Sequence, residues 1–209
     1  AVAESLRVYA DRLEGTEDFE ATLQAMIRKT IQDHKRIIFN GNGYDDAWIR
    51  EATEQRGLLN YRTTPDCVPH LLDEKNVALL TGHKVFTRAE LESRYEVTLE
   101  NYCKTIIIEA NTMVDMARTE ILPAVQAFVL DTARTAAAKQ ELVPGCTCAY
   151  ETELVKKLSA LTDQIAVRAA ELEEAVLALS SAGDIGSQAT AIRDTVLPKM
   201  SELRLACDE

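Results

Sequence analysis

No apolar run in the 209-residue chain approaches the roughly 20 residues that cross a bilayer. The amphipathic opening AVAESLRVYADRLE also lacks the basic start and apolar middle of a signal peptide. A cytoplasmic protein with no membrane partner is expected. Basic charge is short as well, with 23 Lys and Arg against 34 Asp and Glu for a net charge of −11. No compact cluster of Lys and Arg offers a footprint to phosphate backbones, so nucleic acid is not an expected partner. The five cysteines, Cys67, Cys103, Cys146, Cys148 and Cys207, are odd in number and scattered, which fits reduced thiols better than a disulfide framework. Three histidines, His34, His70 and His83, lie too far apart in sequence to announce a metal site, and Cys146 with Cys148 offers two thiolates where structural zinc takes four ligands.

What is present is helical periodicity. Apolar residues make up 46% of the chain, enough to bury a core without staples. Val2, Leu6, Tyr9 and Leu13 recur at helical spacing up to Gly15, a residue suited to the left-handed position that ends a helix. Thr16 or Asp18 caps a second helix whose stripe is Phe19, Leu23, Met26, Ile27 and Ile31, and the two helices are expected to form an antiparallel hairpin. Ile37, Ile38 and Phe39 read either as the end of that helix or as a brief strand. Asn40 to Gly43 is a turn, Asp45 caps a helix holding Trp48 and Ala52, and Gly57 ends it. From Leu58 to Pro69 the pattern is irregular, and Pro65 and Pro69 are expected to keep Thr64 and Val68 extended.

Thr87-Arg88-Ala89-Glu90 has the spacing of a capping box. It opens a long helix with the seam Leu91, Tyr95, Leu99, Tyr102, Ile106, Glu109, Met113, Met116 and Glu120, continuing through Ala124 and Phe128, with a kink expected at Pro123. VPGCTCAY, residues 143 to 150, cannot continue a helix. From Glu151 a heptad-like seam runs Leu154, Leu158, Leu161, Ile165, Arg168, Leu172, Ala175, Leu179, and Ser181-Ala182-Gly183 stops it. A last helix carries Ile185, Ala189, Ile192, Val196 and Leu203, with Pro198 near its end. The expected fold is all-α: a helical hairpin and turn-rich segment over residues 1–85, then a bundle of long antiparallel helices over 86–209.

The segment KRIIFNGNGYDDAW, residues 35 to 48, is the one stretch that resembles an active-site loop. It lacks the Gly-x-Gly-x-x-Gly fingerprint after a strand, and no Gly-Lys-Ser/Thr follows it, so it reads instead as a tight turn closing against a partner surface. Phe39, Asn40, Gly41, Asn42, Gly43, Tyr44 and Trp48 are the candidate docking residues. No nucleophile, base and orienting acid are placed together by the pattern, and no catalytic, cofactor-binding or metal-ligating residue is assigned. Charges on a helix seam must be paired or lie where the bundle opens. Glu120 and Arg168, expected within about one turn of each other, are assigned as a bridge fixing bundle register, and Glu109 reads as structurally paired rather than as a ligand or base.

Four stretches together, KRIIFNGNGYDDAW, LNYRTTPDCVPHLL, SRYEVTLENYCKTIIIEA and MARTEILPAV, resemble the C-terminal part of type III glutamine synthetase. The resemblance runs over residues 1 to 130, with the bundle from 150 onward similar in helical character only. It implies a parent enzyme that joins ammonia to glutamate with ATP and Mg or Mn ions, and that assembles as a homo-oligomer of stacked rings. It further implies that residues 1–85 close the ligase catalytic region and that the partners are the catalytic domain of the same polypeptide and neighbouring subunits. The family's catalytic motifs are expected upstream of Ala1, so the chain alone should be inactive. A first residue already inside a helical pattern agrees with an excised piece, with simple removal of an initiator methionine as the alternative. The competing reading is a self-contained cytosolic helical interaction module.

Overall fold

The computed structural model describes all 209 residues, and its ordered elements are helices and turns with no strand. The chain divides into two compact units, Ala1–Arg62 with His70–Leu91, and Thr63–Pro69 with Glu92–Glu209.

In the first unit, α1 (Val2–Leu13) and α2 (Phe19–His34) pair as the expected hairpin. Gly15 takes φ +74° at the turn, and the Asp18 carboxylate accepts the Ala21 N–H at 2.9 Å to cap α2. Few side chains tie α1 down: Tyr9 Oη lies 3.5 Å from Thr30 Oγ1, and Glu4 Oε2 lies 2.8 Å from His83 Nε2 at the end of α5 (Glu74–Gly82). No residue of α1 or α2 is buried. The apolar run after α2 is a short 3-10 turn, Lys35–Ile37, followed by one extended residue, so the strand alternative falls. Asp45 caps α3 (Asp46–Arg50) by accepting the Ala47 N–H at 3.0 Å, and the helix widens into a π-turn over Glu51–Gln55 before Gly57, at φ +63°, ends it.

The second unit is built on three long helical runs. The capping box forms as expected, with the Thr87 N–H donating to Glu90 Oε2 at 2.7 Å and the Glu90 N–H to Thr87 Oγ1 at 3.3 Å. It opens α6 (Arg88–Met116), which passes through a π-turn at Ala117–Ile121 into α7 (Leu122–Leu142). After the loop comes α8 (Ala149–Ala178), and the last run is α9 (Ile185–Ala191), a π-turn at Ile192–Val196, and α10 (Leu197–Asp208). Lys139 pairs with Glu151 beside the α7–α8 loop while Arg118 pairs with Glu173 several turns away, a register that makes the two helices antiparallel. The α8 seam lies where the heptad reading puts it at Leu161, Ile165, Leu172, Ala175 and Leu179, all buried, but at the turn between them Ala169 is buried and Arg168 is not. Each fully buried leucine there contributes about 1.5–3 kcal/mol.

Three expectations are corrected here. The α6–α7 seam is offset by one residue from Ala110 onward: Ala110, Ala117 and Ile121 face the core, while Glu109, Met116 and Glu120 are exposed, and Val125 and Val129 replace Ala124 and Phe128. Alanines at 110 and 117 let the helices approach closely, and the wide turn brings Ile121 and Leu122 round to the core side where a normal turn would bring Glu120. Pro198 does not lie near the end of its helical run, which continues to Asp208. Both Pro123 and Pro198 sit just after a π-turn, which takes up the missing amide and the ring's clash with the preceding turn without ending the helix. Finally, Thr64 and Val68 are not extended, because α4 (Thr64–Cys67) carries Pro65 in its first turn, where its missing N–H costs nothing, and a 3-10 turn over Val68–Leu72 follows. Val68 packs on the core of the second unit, and Arg193 clamps the segment by an ion pair to Asp66.

Candidate docking and assembly surface

The NGNGY turn is held by its own side chains. Asn42 Oδ1 accepts the Tyr44 N–H at 3.1 Å, and the Asn42 carbonyl accepts the Asp45 N–H at 3.3 Å. The chain then reverses so that the Phe39 ring stacks on Trp48, with centroids 3.7 Å apart and planes 17° from parallel. Arg56 closes the stack from the other end of α3: its guanidinium lies 4.8 Å from the Trp48 ring centre and donates to the carbonyls of Arg36 at 3.2 Å and Ile38 at 2.8 Å. Glu51 Oε1 accepts from Arg56 Nη2 at 2.6 Å and fixes that guanidinium in turn. Gly41 is required by a close approach, since a Cβ there would meet Phe39 Cζ at 2.7 Å.

This arrangement leaves an apolar face outward. Phe39 and Trp48 are half-buried, Ile37 and Ile38 are exposed, and Tyr44 is 96% exposed. Asn40, Gly41, Asn42 and Gly43 are all exposed as well, so the turn presents backbone and aromatic surface together. The docking residues chosen from the sequence are thus gathered into one ordered element. Arg56, which locks them, carried no sequence signal; only the tertiary fold brings it within reach of carbonyls 18 and 20 residues away.

The hairpin is a second outward face. Val2, Leu6, Phe19, Ile27 and Ile31 are exposed although they form the apolar stripes of their helices, with Val2 at 75% and Leu6 at 62%.

The register pair is corrected. Arg168 does not reach Glu120; its guanidinium contacts Glu171 on α8 at 2.9 Å and Glu202 on α10 at 3.0 Å. The bridge from the α6–α7 run to α8 is made instead by Arg118, which holds both oxygens of Glu173 at 2.9 and 2.7 Å. Arg118 lies two residues before Glu120, and the π-turn between Ala117 and Ile121 aims it at α8 while Glu120 faces solvent. The Arg118 bond holds the Glu173 carboxyl below the usual carboxylate range, and the Arg168 bond does the same for Glu171. The Arg193–Asp66 clamp was also illegible in the sequence, because its partners are 127 residues apart.

ATP and Mg or Mn ions, implied by the resemblance, do not fit the residues of this chain. No group of three or more His, Cys, Asp or Glu side chains is gathered where it could hold a metal ion. The NGNGY turn precedes a helix of five residues whose Ala47 N–H is already taken by the Asp45 cap, so it offers no cradle for phosphates.

The chain is all-α, with an ordered aromatic turn, an exposed helical hairpin and a well-packed helical bundle. Residues 22–141 match the glutamine synthetase C-terminal domain family. The chain is similar to a glutamine synthetase of Butyrivibrio fibrisolvens, 34% identical over 92% of this chain and 27% of that protein. It is likewise similar to a type-3 glutamine synthetase of Dictyostelium discoideum, 30% identical over 99% of this chain and 29% of that protein. A glutamine synthetase of Bacteroides fragilis is 28% identical over 86% of this chain and 25% of its own length. The chain belongs to the glutamine synthetase C-terminal domain family, in its type III form. It spans between a quarter and three tenths of the length of these curated relatives. Because the Dictyostelium alignment takes in nearly the whole chain, the likeness extends through the helices beyond residue 150, further than the motifs alone reached.

Proposed function

We propose that this chain packs against the catalytic domain of a type III glutamine synthetase polypeptide and against neighbouring subunits, and that it contributes assembly rather than catalysis. The parent reaction is the ATP-dependent ligation of ammonia to glutamate, with ATP and Mg or Mn bound outside this chain, in a cytoplasmic homo-oligomer. One observation carries the reading: two complete amphipathic helices, α1 and α2, bury none of their residues. The chain exposes 14411 Å², whereas a folded monomer of 23.2 kDa is expected to expose about 9,700 Å². Even two separate compact domains of the observed sizes would expose only about 11,600 Å². Surface of that extent and apolarity is what a larger assembly covers.

The test is made in the full-length glutamine synthetase that carries this region. Leu6→Asp combined with Ile31→Asp, and separately Ile38→Asp combined with Tyr44→Ala, are compared with wild type by sedimentation velocity and ligase assay. Loss of the assembled species together with activity is expected from each pair, while Glu153→Gln on the exposed side of α8 leaves both unchanged. Wild-type sedimentation and activity in both paired variants would show that these faces are not covered in the enzyme, and the proposal would fall.

A further inference from the structure

We propose that Cys146 and Cys148 form a dithiol modification site, oxidised by hydroperoxides to an intrachain disulfide at the tip of the α7–α8 hairpin. Neither the docking surface nor the family assignment uses these thiols, and the inference stands independently of the proposed function. Their Sγ atoms lie 3.5 Å apart, close enough for the Cys148 thiol to donate to the Cys146 sulfur. Reaching a disulfide length of about 2.05 Å requires closing this gap by about 1.5 Å, within the range of side-chain rotation.

The backbone holds this arrangement at a cost. Cys148 takes a left-handed conformation, φ 41° and ψ 39°, at the N-cap of α8, where a non-glycine residue is uncommon. Cys148 as a residue is 4% exposed, and its thiol also reaches the Ala136 carbonyl of α7 at 3.5 Å. Cys146 remains partly exposed. The pair therefore divides into a sulfur that solvent reaches and a sulfur held behind it. Burial, then the bond to Cys146, pushes the Cys148 thiol up, consistent with its staying protonated until its partner has reacted. The Lys139 ammonium, ion-paired to Glu151, pulls the Cys148 thiol the other way, but less than burial and Cys146 push it up. The other three cysteines do not share this setting: Cys103 is in the core, and Cys67 and Cys207 lie on other elements.

The chemistry balances with the hydroperoxide as sole oxidant. The Cys146 thiolate attacks the terminal peroxide oxygen; an S–O bond forms, the O–O bond breaks, and the departing alkoxide or hydroxide takes a proton to leave as alcohol or water. The Cys148 sulfur then attacks the sulfenyl sulfur; the S–S bond forms, the S–O bond breaks, and hydroxide leaves as water with the Cys148 proton. Two thiols lose two electrons and one peroxide gains them. Closure draws the Cys148 sulfur away from the Ala136 carbonyl, releasing the contact between the loop and α7.

The experiment treats the reduced protein with hydrogen peroxide, alkylates the remaining thiols, digests with trypsin and weighs the peptide spanning residues 140–156. The expected product resists alkylation, is about 2 Da lighter than the reduced peptide, and returns to the reduced mass with dithiothreitol, while Cys103 stays reduced. Cys148→Ser should stop at a sulfenic acid on Cys146 that dimedone traps, and Cys146→Ser should oxidise Cys148 at least about 10-fold more slowly. Retention of two alkylatable thiols in that peptide after the exposed Cys67 has been oxidised would overturn the proposal. So would equal oxidation rates for the two single variants.

Discussion

Glu151 is the only charged residue buried in the chain, at 7% exposure in the first turn of α8, and Lys139 makes its burial tolerable. The Lys139 bond, followed by the backbone N–H bond, holds its carboxyl below the usual range. A carboxylate with a lowered folded value stabilises the fold above its unfolded value, and that contribution is lost as pH falls from about 4.3 through the folded value. Glu151→Gln should therefore lower the urea midpoint at pH 7 and reduce the proton uptake that accompanies unfolding near pH 4. Denaturation curves of both proteins across pH 3 to 7 check this, and parallel pH profiles would contradict it. Gly41 is the second position where one atom decides. Gly41→Ala places a methyl against Phe39 and should separate the Phe39–Trp48 stack, shifting the emission of Trp48, the single tryptophan, to longer wavelength with helical circular dichroism retained.

The α8 run is the element on which the second unit is assembled, since α7 and α10 both pack on it. Leu172→Ala, at a fully buried position, should cost about 2–5 kcal/mol through lost contact and the cavity left behind. Ala169→Leu should cost about 1–3 kcal/mol for the opposite reason, since Ala169 is fully buried among packed neighbours. Chemical denaturation measures both, and a neutral Ala169→Leu would show that the core has room that the observed packing denies. The two prolines belong to this scale as well. Each follows a π-turn, so a long helical run passes through a residue that would otherwise end it, and the seam beyond continues with one extra residue accommodated.

At the scale of the molecule, burial is distributed unequally. The second unit holds a continuous apolar core, whereas α1 and α2 leave even Leu13, Leu23 and Met26 only half-buried. Local opening free energy follows buried contact, so backbone amides of α1 and α2 should exchange with deuterium orders of magnitude faster than those at the centre of α8 when the chain is studied alone. In the full-length enzyme the same amides should become protected, as measured by exchange mass spectrometry on both forms. Equal protection of α1 and α8 in the isolated chain would show that the hairpin is stable without a cover. The net charge of −11 adds no attraction for polyanions.

Local signals in the sequence determined the all-α class, the caps at Asp45 and Thr87–Glu90, the stops at Gly15, Gly57 and Gly183, and the seam of α8 apart from Arg168. Each depends on groups within about four residues of one another, where spacing alone decides the contact. Four motifs were also sufficient to identify the family. Tertiary structure alone decided the rest: that Arg168 pairs with Glu202 rather than Glu120, that Arg193 holds Asp66, and that Arg56 locks the Phe39–Trp48 stack. Side-chain direction along a helix advances by about 100° per residue, so a one-residue offset at Ala110 and a wide turn at Ala117–Ile121 turn a seam position into a solvent position. A seam read by counting carries that error forward, and packing against the neighbouring helix is what corrects it.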